Sequence, residues 1–320
     1  MRALVYSLAI FHFVCTTARA EDLSWKAVFA PLPEIAASQD NPITPAKVAL
    51  GKRLYLDSRL SMDETISCNS CHNLKTFGVD NEPTSPGHKG QRGGRNSPSS
   101  FNAALHTSQF WDGRAATVEK QALGPILNPG EMAMPSEAAV IERLSKDKSY
   151  LKEFAAAFPG EKNPISYANV GNAIGAFERT LITPSRFDQF LKGDNNALTP
   201  EEKEGAQAFV QTGCVACHNG ATLGGMMYQK LGLVKHYPTK DMGRFEVTKN
   251  EADKMMFKVP SLRNVAKTGP YFHDGSVKTL EEAVSQMAEY QLGKQLTPEQ
   301  VKEIVTFLNS LTATDTSKFM

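Results

Sequence analysis

Apolar residues recur at helical spacing along several stretches of this chain, while sustained apolar–polar alternation of the strand type is absent. Val170, Ile174, Phe177 and Leu181 form one stripe, which ends at Thr183-Pro184, where proline restricts the residue before it and predicts a domain joint. Val301, Ile304, Val305 and Leu308 form another. Thr297-Pro298-Glu299-Gln300 opens that helix as a capping box with proline at the first helical position, and Thr199-Pro200-Glu201-Glu202 repeats the device. Ser136 is placed to cap a helix carrying Val140, Ile141 and Leu144. Residues 281–291 also read as helical. Residues 81–100, rich in Gly, Pro, Ser and Asn, predict a loop.

The pattern repeats. Pro98-Ser99-Ser100-Phe101-Asn102-Ala103 precedes Pro260-Ser261-Leu262-Arg263-Asn264-Val265 by 162 residues. At the same offset Trp111-Asp112-Gly113 matches His273-Asp274-Gly275, and Thr117-Val118-Glu119 matches Thr279-Leu280-Glu281. Thr44-Pro45 before Gly51 echoes Thr199-Pro200 before Gly205. These matches predict an internally duplicated, mainly α chain.

Cysteine usage supplies the chemistry. Four of the five cysteines fall in Cys68-Asn69-Ser70-Cys71-His72 and Cys214-Val215-Ala216-Cys217-His218. Each is C-x-x-C-H, the attachment signature of a c-type haem, with the histidine as an axial iron ligand. The fold expected is therefore two cytochrome-c-like helical haem domains, at residues 21–184 and 185–320. Residues 1–20, with Arg2, an apolar run and Ala18-Arg19-Ala20, read as a signal peptide carrying the fifth cysteine, Cys15. Leader and haem motifs together predict a periplasmic protein. A net charge of +1 gives no argument for nucleic acid.

The halves differ at the sixth position of iron, which decides between electron transfer and reaction. Met287 is the candidate sixth ligand in the second half, in competition with Met226, Met227, Met242, Met255 and Met256. The repeat places Pro125 at the equivalent position of the first half, and proline cannot ligate iron. The first half instead has His88 in its Gly-rich loop, able to cover the iron and to leave it. Glu131, in Asn128-Pro129-Gly130-Glu131, is a candidate acid–base for moving a proton between peroxide oxygens.

On these motifs, with Gln109-Phe110-Trp111-Asp112-Gly113-Arg114, Gly130-Glu131-Met132, Gly269-Pro270-Tyr271-Phe272-His273-Asp274-Gly275 and Gln291-Leu292-Gly293, the chain resembles the bacterial dihaem cytochrome c peroxidases over nearly its whole length. The resemblance implies reduction of hydrogen peroxide to water, with electrons from a small cytochrome c or blue-copper protein. It implies a first, low-potential haem with His72 proximal, His88 as its displaceable ligand and Glu131 as catalytic acid–base. It implies a second, high-potential haem ligated by His218 and Met287, with Trp111 on the electron path between them. It further implies a calcium ion held by Asn96 and by the carbonyls of Thr268 and Pro270, and a homodimer. Asp112, Arg114, His273 and Asp274 are expected to brace the joint or the haem propionates; His106 and His236 receive no role. Two rival readings remain: a dihaem enzyme oxidising tryptophan residues of a partner protein, with Tyr in place of Met287, and a dihaem electron carrier without catalysis. Tyr290, one helical turn from Met287, leaves room for a slipped register.

Overall fold

The computed structural model describes residues 23–320, so the expected leader at 1–20 lies outside the described residues. The described chain is mainly helical; its one sheet pairs Tyr228–Lys230 antiparallel with Met256–Lys258, with Tyr228 opposite Lys258. No described helix is long and apolar enough to cross a membrane.

The caps act where the sequence puts them. Thr44 Oγ1 accepts from the Lys47 amide to open Pro45–Leu56, and Ser136 Oγ accepts from the Ala139 amide to open Glu137–Ser145. Both predicted capping boxes are closed, at Pro200–Thr212 and Pro298–Ser310. Val170, Ile174, Phe177 and Leu181 are all buried in one core, and Val301, Ile304, Val305 and Leu308 in a second.

The two cores are built alike. Pro45–Leu56 crosses Tyr167–Glu178 in the first, and Pro200–Thr212 crosses Pro298–Ser310 in the second. Glycine sits at each crossing because the backbones nearly touch: a Cβ on Gly51 would lie 1.9 Å from the Ala173 carbonyl oxygen, and one on Gly205 would lie 2.2 Å from that of Glu303.

The halves meet at Thr183, which is fully buried. Its hydroxyl accepts from Asn102 Nδ2 at 2.7 Å and from Asn264 Nδ2 at 2.9 Å. These asparagines are equivalent under the 162-residue offset and share a left-handed backbone, with φ of 60° and 62°. The ends of the described chain cross this joint. Trp25 and Phe29 pack into the second core, Trp25 stacking on Phe190, while Phe319 packs into the first against Phe101. The cores therefore do not follow the 184/185 boundary at the two ends.

Candidate haem sites and the joint between them

Each C-x-x-C-H motif opens on its own cavity. Cys68, Cys71 and His72 line the first, of about 800 Å³; Cys214, Cys217 and His218 line the second, of about 260 Å³. None of the four thiols is in a disulfide. His72 Nδ1 lies 2.9 Å from the Pro98 carbonyl and His218 Nδ1 3.0 Å from that of Leu223. A carbonyl can only accept, so each Nδ1 carries the proton and each Nε2 keeps its lone pair for a metal. Burial pushes both imidazoles below their ordinary pKa and keeps them neutral, as a ligand must be. Paired thiols and an oriented imidazole on a common wall fit a covalently held haem in each cavity.

The predicted register of the sixth position is seen in the helices. Thr117 caps Val118–Leu127 and Thr279 caps Leu280–Leu292 by the same hydrogen bond, to the third following amide. Eight residues on, Pro125 lines the first cavity and Met287 the second. On the second helix Leu280, Ala283, Val284, Met287 and Gln291 face the cavity at helical spacing. Tyr290 does not: its ring packs edge-on against Tyr237 at 5.2 Å. Of the two, Met287 is the one on the cavity face.

Glu131 also lines the first cavity. Asn128 builds the turn that presents it: its Oδ1 accepts from the Gly130 amide at 2.9 Å, and its Nδ2 donates to Glu131 Oε1 at 3.1 Å. Burial raises the carboxyl above its ordinary pKa; the Arg114 charge and the Asn128 hydrogen bond pull it partly back. Arg114 is itself paired with Asp112 and stacked 3.5 Å over the Phe110 ring.

His88 is placed differently from the covering position expected of it. It lies in a short turn, His88–Gly90, with Nδ1 3.0 Å from Asp63 Oδ2, and is not among the residues that line the cavity. Its backbone stays beside the site, where Gly87 packs directly on the Gly130 carbonyl.

Trp111 lines both cavities, and its Nε1 donates to the Asn96 carbonyl at 2.9 Å. Asn96, Thr268 and Pro270 lie along the second cavity. Asn96 Nδ2 donates to the carbonyls of Glu82 and Pro83, which turns its Oδ1 the other way. A side-chain amide oxygen and backbone carbonyls are the donor types a hard cation takes. The described residues contain no cluster of three or more His, Cys, Asp or Glu able to hold a metal. Of the expected braces, Asp112 is paired with Arg95 and Arg114, and His273 is buried beside Asp241.

Sequence reading missed several cavity residues. Gln121 was findable, since it stands one helical turn before Pro125 on the same face. Glu178, pushed up to about 8 by burial, and Lys258 are brought to the first cavity by packing alone and leave no local signal.

Comparison with known proteins agrees with this arrangement. The family described as di-haem cytochrome c peroxidase matches residues 45–196, and the cytochrome c family matches residues 202–312. A cytochrome c551 peroxidase of Pseudomonas aeruginosa is 48% identical, covering 89% of this chain and 84% of its own length. One from Nitrosomonas europaea is 46% identical, covering 91% and 89%. Among solved structures, a MauG-like protein associated with microbial copper homeostasis superposes with a TM-score of 0.80 at 30% identity, covering 90% of this chain and 96% of its own.

Proposed function

The chain belongs to the di-haem cytochrome c peroxidase family and is a cytochrome c peroxidase, and on that premise we propose how its residues divide the work. Bound haem supplies the iron at which hydrogen peroxide is reduced and the iron at which electrons enter. His72 and His218 would hold the two irons through Nε2. The observation that carries the division of labour is the pair Pro125 and Met287, which take the same helical position in the two halves. Met287 closes the second site as an electron store. Pro125 leaves the first site open to peroxide.

Glu131 is the acid–base of the open site. As a carboxylate it would take a proton from peroxide in the first cavity and return it to the departing oxygen, which would leave as water, the two electrons for the O–O bond being those a haem held there would supply. Asn128 holds the carboxyl on the cavity side, and the Arg114 charge opposes the rise that burial causes. His88 is the gate: swung inward it covers the first site, and paired with Asp63 it leaves the site clear. Trp111, in contact with both cavities, carries electrons between them. Calcium at Asn96, Thr268 and Pro270 stiffens the joint.

The protein works in the periplasm, for which the leader at 1–20 and haem attachment outside the cytoplasmic membrane speak. Its donor is a small cytochrome c or blue-copper protein, and the chain works as a homodimer. Met287 on the cavity face, with Tyr290 turned away, favours this reading over oxidation of a partner's tryptophans.

A redox titration followed by electron paramagnetic resonance tests the proposal. The His–Met haem should reduce first, after which the other should bind cyanide. A first haem that stays six-coordinate and refuses cyanide after that reduction would show an electron carrier without catalysis.

A further inference from the structure

His106 and Lys258 lie outside every role given so far, yet both line both cavities. The Lys258 side chain is buried; its Nζ donates to the Ser108 carbonyl at 2.8 Å and lies 3.4 Å from His106 Nδ1. An ammonium can only donate, so His106 Nδ1 is the acceptor and the ring proton sits on Nε2. That Nε2 is buried and has no hydrogen-bond partner. The ring cannot turn it aside, because Gly225 is packed so closely that a Cβ there would lie 2.4 Å from His106 Cδ2. A buried N–H donor and a buried ammonium thus sit side by side on residues that line both cavities, with no anion hydrogen-bonded to either among the described residues. Asp112, the carboxylate whose charge acts on Lys258, already accepts from Arg95 and Arg114. Burial drops the Lys258 ammonium to about 8, with the Asp112 charge pulling it only partly back.

We propose that Lys258 and His106 seat a haem propionate at the joint, with the Lys258 ammonium as a resident cation mirroring the Asn96, Thr268 and Pro270 place. Haem brings two carboxylates into each cavity, which are the anions the pair lacks. The mirror relation is geometric. At the 162-residue offset Lys258 is the counterpart of Asn96, His106 of Thr268 and Ser108 of Pro270. The Asn96 amide donates to the His273 carbonyl at 2.7 Å, and the Lys258 amide donates to the Trp111 carbonyl at 2.7 Å, itself the counterpart pairing. Phe110 and Phe272, between these strands of contact, share φ of 66° and 67°. One half thus offers oxygens to a cation, and the other fills the equivalent place with its own. The calcium half of this comparison rests on the proposed function; the propionate seat does not.

The test uses the holoenzyme with both haems loaded. Lys258→Met should lower the midpoint potential of one haem by about tenfold in its oxidised-to-reduced ratio, ~59 mV for one electron. Lys258→Arg, which keeps the charge, should hold it within about twofold of wild type. His106→Phe should shift the propionate-bending band in resonance Raman spectra, and His106→Gln, which restores a donor, should bring it back. If Lys258→Met does not load both haems, the two His106 variants decide alone. Potentials and propionate band unchanged in Lys258→Met and His106→Phe would overturn the proposal. Neither readout depends on peroxide turnover, so an inactive enzyme with shifted potentials would sink the proposed function and leave the seat standing.

Discussion

The His88 amide donates to the Glu131 carbonyl at 2.8 Å, so the loop of His88 and the turn of Glu131 share a backbone hydrogen bond. Movement of one is felt by the other. With His88 held outward on Asp63, the Glu131 carboxyl stays on the cavity wall. The roles proposed for His88 and Glu131 would therefore be set by a single backbone arrangement.

Asp63→Ala removes the outward partner of His88. Asp63 is half exposed, so the pair is worth at most about 1 kcal/mol, a roughly fivefold bias. The oxidised variant should show more of the six-coordinate low-spin first haem and a longer lag before turnover. A spectrum and lag identical to wild type would mean that Asp63 does not hold the gate.

Glu131→Gln should keep both haem spectra and lose roughly 10²- to 10⁴-fold in turnover. A wild-type rate would remove Glu131 from the chemistry. His88→Gly, by contrast, should be active without prior reduction.

The pH profile gives a separate handle on the same carboxyl. Burial raises its pKa and Arg114 lowers it. Taking away a neighbouring positive charge disfavours the carboxylate, so Arg114→Gln should move the acidic limb of kcat/KM to higher pH. A limb that stays put or moves to lower pH would show that another group titrates.

Met287→Ala should abolish the near-infrared His–Met charge-transfer band, while Tyr290→Phe should leave it intact. A wild-type protein without that band, or a band that survives Met287→Ala, would remove Met287 from the second iron.

Thr183→Val strips the shared acceptor from Asn102 and Asn264, leaving two buried amides unpaired. The cost should be about 2 kcal/mol or more, read as a lower denaturation midpoint with both haems present. A midpoint equal to wild type would mean that water takes over the hydroxyl's place.

Much of this was legible from residues in local patterns. The caps at Thr44, Ser136, Thr199 and Thr297 and the stripes on two helices follow from short-range rules and were realised. The Pro125/Met287 register followed from a gapless repeat. The direction of the His88 ring was not legible, because it depends on Asp63, a contact made by folding. His106 had no local pattern to betray it. Its meaning comes from Lys258, 152 residues away in sequence and tied alongside by hydrogen bonds to the Ser108 and Trp111 carbonyls.

The crossing of the chain ends has a mechanical consequence. Trp25 and Phe29 serve the core that the rest of their own half does not share, and Phe319 does the reverse. Each half is thus clasped by a strap belonging to the other. Severing the chain after residue 184 would strand both straps as exposed aromatic tails and leave a notch in each core. The spacing between the two redox centres is therefore guarded by topology, and the molecule should unfold as one cooperative body.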